Sequence, residues 1–269
     1  MCYYNGVKVL KTEFIRLKDI EKAVAGYDFL TQPLQTGFEF GDHPVLVKTS
    51  ENDFEITLME WGFIPGYIKT REEVDKMRHG YKKPDGSFQP PIITLNATCE
   101  ELLKPGKIYR NAALNNRCLV LSSGFFEWRH VYPLNKRTGQ PVKTPLKYPY
   151  HISLKDKEYF FMAAIYTPWK DITTGEYVNS YAIITTAANP LMEQVHNSKK
   201  RMPCILPEDL AWRWLMEELS EEEILSTASY KIPSSSMQVC TIAKDFRDSI
   251  DPTAPFDYVD LEKIPLVYE

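Results

Sequence analysis

The chain has no apolar run approaching the ~18 residues of a membrane-spanning helix, and its amino terminus has no signal peptide. These absences predict a cytoplasmic protein, nucleoid-associated if the cell is bacterial, with no membrane partner. Its five cysteines are odd in number, lie far apart and form no CxxC pair. A disulfide framework or a zinc site is therefore not expected, and no metal or organic cofactor is implied.

An excess of positive charge is also lacking, since the formal net charge is −4. This argues against nucleic-acid binding through bulk charge, but a local basic patch stays possible because only the field at the site matters. The chain of 269 residues is long enough to bury a sizeable core, and its 43% hydrophobic content is ordinary for a globular protein. No internal repeat or low-complexity linker divides it.

Many strand patterns with a few interspersed helices predict an α+β fold in a single domain, residues 1–269. Strands are expected over residues 43–47, 54–61, 118–121, 181–185 and 239–242, and a hairpin over 150–166. Helices are expected over residues 17–30, just before 116, 190–196, 207–219 and after the capping box at 220–223. Surface insertions are predicted at about 70–91 and 130–149, and an extended tail from about 251.

The stretch over residues 118–128, CLVLSSGFFEW, is the most informative part of the chain. An apolar run typical of a buried strand is broken by Ser-Ser-Gly and resumes as aromatic residues around Glu127. Burying a carboxylate among these residues costs free energy of folding unless it is paired, so it is expected to have either a partner or a function. Glu127 is therefore either a hydrogen-bonded structural acid or a proton-transfer group whose pKa is raised by its apolar neighbours.

The first two residues, Met1-Cys2, add a second candidate functional residue, Cys2. Removal of Met1 would leave Cys2 with a free α-amine and a thiol, whose reference pKa values are roughly 7.7–8.0 and 8.5. Such an aminothiol condenses with an aldehyde to an imine, and the thiol then closes a five-membered thiazolidine ring. The simpler alternative is that a cysteine at position two is incidental.

Two further polar residues could assist this chemistry. His196 lies near the end of a short expected helix and could act as a second acid or base, although a lone histidine is usually structural. Asn96 could hold the amine by a hydrogen bond. Asn96-Ala97-Thr98 also fits the glycosylation pattern, but that interpretation requires secretion.

These residues belong to short motifs that resemble the SOS response-associated peptidase (SRAP) family, whose members process abasic sites in single-stranded DNA. The motifs occur in order from residue 2 to about 215: Met1-Cys2, Trp61-Gly62-Phe63-Ile64-Pro65, Asn96-Ala97, Arg117-Cys118-Leu119-Val120, Gly124-Phe125-Phe126-Glu127-Trp128, Ala188-Asn189 leading to Val195-His196, and Arg201-Met202-Pro203-Cys204-Ile205-Leu206.

The resemblance implies a β-rich, mainly antiparallel, barrel-like sheet with peripheral helices. It also implies a covalent thiazolidine crosslink to abasic single-stranded DNA as part of the DNA damage (SOS) response. On this sequence it implies Cys2 as nucleophile, Asn96 as the group that orients the amine, Glu127 as the acid–base residue and His196 as the second proton-transfer group.

The sequence departs from the family pattern at four places. Tyr3-Tyr4 replaces Gly-Arg, Thr98 replaces an arginine, and residues 122–128 lack one acid and one phenol of the usual motif. Four residues, Asn197 to Lys200, separate His196 from Arg201, which is more than the commonest spacing.

Contacts to DNA are expected from basic side chains on phosphates and an aromatic side chain on an unstacked base. The candidates are Trp61, Arg110, Arg117, Lys199, Lys200 and Arg201. The alternatives are solvated surface charges, a core tryptophan at position 61, and pairing of Arg201 with a carboxylate.

Two other classes of function stay open. One is a peptidase or amidohydrolase in which Cys2 forms a thioester and its own amine serves as base, acting at least on the leader methionine. The other is a non-covalent single-stranded DNA binder in which Cys2 is incidental.

Overall fold

The computed structural model describes residues 2–264. Met1, whose removal the proposed chemistry requires, and the last residues of the predicted domain and tail, 265–269, lie outside the described residues. Within residues 2–264, no helix is both long and apolar enough to cross a membrane.

Strands dominate the described chain. They are β1 (Tyr4–Lys8), β2 (Phe14–Leu17), β3 (Ile20–Ala23), β4 (Thr31–Thr36), β5 (Asp42–Ser50), β6 (Asp53–Trp61), β7 (Tyr81–Lys82), β8 (Phe88–Gln89), β9 (Asn96–Thr98), β10 (Arg117–Ser122), β11 (Gly124–Val131), β12 (Leu146–Leu154), β13 (Phe160–Lys170), β14 (Tyr177–Ala187), β15 (Arg201–Pro203), β16 (Ile205–Leu206) and β17 (Met237–Thr241).

The helices are short. They are α1 (Arg71–His79), α2 (Arg110–Asn115), α3 (Pro190–Val195), α4 (Glu208–Met216) and α5 (Glu221–Ala228), with 3₁₀ turns at Val24–Gly26, Gly37–Glu39, Cys99–Glu101, Ser234–Ser236 and Phe246–Asp248. The sequence signals for two helix starts are confirmed, because Asn189 and Ser220 each accept a hydrogen bond from a first-turn backbone N–H. Thr70 caps α1 in the same way, but no helix was expected there.

Five strands close into a barrel. β6, β5, β10, β13 and β14 pair in that order, and a parallel pairing of β14 with β6 completes the ring. β9, β15 and β16 extend this sheet, while β17, β12, β11, β1 and β4 form a second sheet that is antiparallel throughout. The expected β-rich, mainly antiparallel, barrel-like fold with peripheral helices is confirmed.

Alternating side chains of the barrel strands enter two separate cores. Along β10, Leu119 and Leu121 join a cluster that includes Trp214 of α4, which we call the helix-side core. Cys118 and Val120 of the same strand join a cluster that includes Cys2, which we call the Cys2-side core. β10 therefore contributes side chains to both cores.

Two predictions of secondary structure were wrong. Residues 17–30 do not form a helix, because β2 and β3 pair as a small antiparallel ribbon and only a 3₁₀ turn follows. The hairpin over 150–166 is also absent, since β12 pairs with β11 and β17 whereas β13 pairs with β10, β14 and β16. Each strand finds its partners in a different sheet, which a local turn signal cannot reveal.

The two expected insertions differ in structure. Residues 70–91 contain α1, which buries Val74, Met77 and Arg78, followed by the small β7–β8 hairpin. Residues 132–145 form the mostly exposed connection between β11 and β12.

Candidate active site

The second sheet brings the start of the chain beside the FFEW motif. Asn5 pairs with Phe125 and Gly6 with Gly124, so continuing this antiparallel register places Tyr3 beside Glu127. Gly124 is needed for close packing, because a Cβ there would lie 2.1 Å from Nε2 of His151. Strand pairing across more than a hundred residues therefore unites two parts of the predicted site.

Cys2 is fully buried in the Cys2-side core. Its Sγ lies 3.7 Å from the carbonyl oxygen of Tyr4. Burial raises the pKa of the Cys2 thiol strongly, and the negative charge of Glu127 raises it further. The resting thiol is therefore protonated, and its nucleophilic form requires a base that removes the proton.

Asn96 contacts Cys2 directly. β9 lies parallel to β14, with Asn96 opposite Ile183, and the Nδ2 of Asn96 donates a hydrogen bond to the carbonyl oxygen of Cys2 at 2.9 Å. Its Oδ1 is buried with no hydrogen-bond partner within residues 2–264. Asn96 thus fixes the backbone of Cys2 with its donor and offers an acceptor in the same buried space.

Glu127 sits on β11 with only 3% of its surface exposed. Burial raises its pKa to about 7. A carboxyl group with that pKa is split between its acid and base forms at neutral pH, which suits proton transfer in either direction. Burial on β11 thus acts on Glu127 in the direction that its aromatic neighbours in the sequence predict.

His196 follows α3 directly, where Asn189 caps the helix start by accepting a hydrogen bond from the backbone N–H of Met192 at 2.9 Å. Its Nδ1 lies 2.8 Å from the carbonyl oxygen of Arg201. Because a carbonyl only accepts, Nδ1 carries the proton, and Nε2 is left with a lone pair. Burial lowers the pKa of His196 to about 4, so the ring is neutral at physiological pH.

The lone-pair nitrogen of His196 faces Glu127. Nε2 lies 3.9 Å from Oε2 of Glu127, which is too long for a direct hydrogen bond but close enough for both groups to act on one bound substrate. Asn96, Cys2, Glu127 and His196 are therefore brought to one buried place. Together they offer a thiol, an amide and two proton-transfer groups whose pKa values are shifted apart.

Among residues 2–264, no group of three or more His, Cys, Asp or Glu side chains is arranged to hold a metal ion. All five cysteines are free thiols, and only Cys240 is not fully buried.

The predicted stacking role of Trp61 conflicts with its position. The side chain is completely buried, and its Nε1 donates to the carbonyl oxygen of Leu95 at 2.9 Å. Its ring stacks on Tyr181 with the centroids 6.1 Å apart. The structure favours the core-tryptophan alternative, and the ring supports the backbone immediately before Asn96.

Two predicted DNA contacts, Arg110 and Arg117, are engaged in structural bonds. Arg110 pairs with Glu221, with Nη2 and Oε1 2.6 Å apart. Arg117 donates to four backbone carbonyls around α2 and α4, including that of Trp214 at 2.8 Å. These bonds place both guanidinium groups against the helix-side core, so the structure favours a structural role for them.

The remaining basic candidates surround His196. Arg201 forms a two-pronged ion pair with Glu100, at 2.5 and 2.9 Å, which agrees with the carboxylate-pairing alternative. Lys200 pairs with Glu193 at 3.4 Å, and Lys199 is exposed and close enough for its charge to act on His196. For these three residues, DNA contact stays a prediction.

One residue near the site was missed. Arg129 lies two positions after Glu127 on β11 and therefore on the same side of the strand. Its Nη1 donates to the carbonyl oxygen of Glu262 at 2.8 Å. The period-two pattern of a strand could have identified it once Glu127 was chosen.

Comparison with known proteins identifies the relatives of this chain. The family model for the SOS response associated peptidase (SRAP) matches residues 32–248. The abasic site processing protein YoqW of Bacillus subtilis is 29% identical over 170 residues, which is 63% of this chain and 61% of that protein. The abasic site processing protein HMCES of Xenopus tropicalis is 27% identical over 171 residues, 60% of this chain and 44% of that protein.

The chain thus matches about three fifths or less of the length of these relatives. A crystal structure of a protein from Bacteroides thetaiotaomicron has a TM-score of 0.70 at 29% identity, covering 94% of this chain and 97% of that one. A protein from Bordetella bronchiseptica, 16% identical with a TM-score of 0.61, shares the fold over 90% of this chain and 100% of that one.

Proposed function

The chain belongs to the SRAP family, and from this premise we propose that it captures abasic sites in single-stranded DNA by a covalent bond to Cys2. The relatives carry the name abasic site processing protein, which supports the substrate class. The observation that carries the proposal is the convergence of Asn96, Glu127 and His196 on the buried Cys2.

The first step is condensation. After removal of Met1, the α-amine of Cys2 attacks the aldehyde of the ring-opened sugar, and loss of one water gives an imine. Glu127, with a pKa of about 7, supplies a proton to the ring oxygen during opening and to the departing hydroxyl during condensation. The buried Oδ1 of Asn96 accepts an N–H bond from the amine and so holds it in place.

The second step is ring closure. The Cys2 sulfur bonds to the imine carbon, its proton moves to the imine nitrogen, and a thiazolidine forms with no further loss of atoms. The neutral His196, with its lone pair on Nε2, receives the thiol proton and passes it on. Because an open imine permits β-elimination and strand scission, rapid closure protects the DNA strand.

The test is intact-protein mass spectrometry after incubation with a single-stranded oligonucleotide that carries one abasic site. We expect a species equal to the Met1-less protein plus the oligonucleotide minus one water, with peptide mapping to Cys2. Cys2→Ala keeps the amine but cannot close the ring, so it is expected to give no adduct that survives without borohydride.

The outcomes separate the alternatives. A stable adduct from Cys2→Ala would overturn the assignment of the nucleophile. Removal of Met1 with peptide cleavage and no DNA adduct would favour the peptidase alternative. Unchanged DNA affinity for Cys2→Ala, with no adduct from either protein, would favour the non-covalent binder.

A further inference from the structure

The loop that follows His196 is longer than the common family spacing, yet His196 still faces Glu127. The loop is compact, because the backbone N–H of Lys200 donates to the carbonyl oxygen of His196 at 2.8 Å. Lys200 adopts a left-handed conformation with φ of 51°, which turns the chain back into β15. The backbone N–H of Ala188 then donates to the carbonyl oxygen of Lys200 at 3.0 Å.

Asn197 ties this loop to β11. Its Nδ2 donates to the carbonyl oxygen of His130 at 2.8 Å, and its Oδ1 accepts from the backbone N–H of His130 at 2.9 Å. The side chain thus makes both hydrogen bonds that a neighbouring strand would make with that residue. His130 lies three residues beyond Glu127 on the same strand.

We propose that Asn197 is a positioning residue that sets the separation between His196 and Glu127. This inference rests on the proposed function, because the separation matters only if the two groups transfer protons. The bond from Nδ1 of His196 to the carbonyl oxygen of Arg201 lies within the loop. It fixes the tautomer of the ring but not the position of the loop against β11, which the Asn197 bonds do fix.

The separation is a sensitive quantity. At 3.9 Å, Nε2 of His196 and Oε2 of Glu127 lie about 1 Å beyond direct hydrogen-bond distance, so a displacement of about 1 Å changes the path by which a proton passes between them. Misplacement of that size costs roughly 100-fold in rate for positioned catalytic groups. The additional residues after His196 would allow such a displacement, and the Asn197 bonds oppose it.

The experiment compares Asn197→Ala with the wild-type protein in covalent capture of an abasic oligonucleotide. We expect the rate constant at saturating DNA to fall roughly 10- to 100-fold. Affinity for an undamaged oligonucleotide should stay within about twofold, because Asn197 acts on the chemical step. Asn135→Ala is the matched control, since Oδ1 of Asn135 also accepts two backbone hydrogen bonds in an exposed loop, at 2.9 and 3.2 Å, and its loss should leave the rate unchanged.

A double-mutant cycle tests whether Asn197 affects the rate through His196. In a His196→Ala background, Asn197→Ala should have no further effect on the rate, because the ring that it positions is gone. A full additional loss in that background would overturn the proposal and leave Asn197 as a general stabiliser. A wild-type rate for Asn197→Ala alone would overturn it as well.

A second readout does not need activity. Nitrogen chemical shifts of the His196 ring should report the Nδ1–H tautomer in both proteins, because the bond to Arg201 lies within the loop, but the Nε2 shift should move in Asn197→Ala as the distance to Glu127 changes, with Asn135→Ala unchanged. Unmoved shifts in Asn197→Ala would contradict the positioning role. If the wild-type protein forms no DNA adduct, the proposed function fails, whereas this measurement still judges Asn197.

Discussion

The two cores of the barrel use polar groups in opposite ways, although they share the same strands. On the helix-side core, Nε1 of Trp214 donates to the carbonyl oxygens of Cys118 and Ala164, each at 3.1 Å, and Arg117 donates to four carbonyls. On the Cys2-side core, the Oδ1 of Asn96 and the hydroxyl of Tyr181 are buried without hydrogen-bond partners within residues 2–264.

The two cores on either side of the barrel sheet therefore differ in role: one mainly stabilises the fold, and the other holds the groups proposed to react. Satisfied hydrogen bonds make the helix-side core a rigid support. The Cys2-side core instead lies beside Glu127 and His196, two buried acid–base groups whose pKa values of about 7 and about 4 suit proton transfer, at a cost in stability for Glu127. Changes on the two sides should therefore affect different measurements.

The largest expected effect is on rate and comes from the Cys2 side. Glu127→Gln keeps the shape of the side chain but removes its proton transfer, so covalent capture should slow by roughly 10²–10⁴-fold. The rate of adduct formation measured by gel under single-turnover conditions checks this. A wild-type rate would return Glu127 to the structural alternative and remove the contrast between the two cores.

The matching change on the helix side should affect stability instead. Trp214→Ala removes a fully buried side chain and two hydrogen bonds, so the free energy of unfolding should fall by about 3–5 kcal/mol. Urea denaturation measures the loss. At a temperature where the variant is folded, its rate of capture should stay near the wild-type value, and a large loss of rate would show that the two cores are not separate.

The pH dependence of stability sharpens the comparison. The pKa of Glu127 is raised to about 7 in the folded chain, so the unfolded chain releases this proton first as pH rises. Ionisation of Glu127 therefore costs stability progressively between about pH 4.3 and pH 7. The advantage of Glu127→Gln over wild type should be roughly 2–4 kcal/mol larger at pH 8 than at pH 4 in urea denaturation.

His196 does not disturb this difference. Its lowered pKa, about 4, contributes stability that is present above its unfolded value and is lost as pH falls towards 4. Both proteins contain His196, so most of its contribution cancels in the difference between them. Parallel pH profiles for the two proteins would contradict the raised pKa of Glu127.

The smallest expected effect concerns Tyr181. Its hydroxyl is buried without a hydrogen-bond partner in the described part of the chain, so Tyr181→Phe removes a desolvation cost while keeping the stack on Trp61. The free energy of unfolding should be unchanged or higher by up to about 1 kcal/mol. A loss above about 1 kcal/mol would indicate that the hydroxyl is bonded, and would weaken the contrast between the cores.

Local features of this fold could be predicted, because they depend on neighbouring residues. The Asn189-Pro190 start of α3 and the strand before Gly124 follow from capping and hydrophobic periodicity. The convergence of Cys2, Asn96, Glu127 and His196 came from the family resemblance, and the structure brings these residues together through strand pairings that no local pattern encodes.

Other features depended on long-range contacts and were not predictable. β12 and β13 carry the pattern of a hairpin, but each gains more by pairing within a different sheet. Trp61 is equally compatible with a surface and a core, and only the closing of the barrel buries it. The bonds between Asn197 and His130 join an unremarkable polar residue to a strand 67 positions away, so sequence spacing gives no sign of them.

The burial of Cys2 also has a consequence for the chemistry of the cell around it. Peroxides and small alkylating agents react with exposed thiolates, and the Cys2 sulfur is neither exposed nor ionised. The thiol is therefore protected from the oxidation that inactivates many exposed cysteines. For the covalent capture proposed above, such protection keeps the Cys2 thiol available for its substrate instead of losing it to other electrophiles.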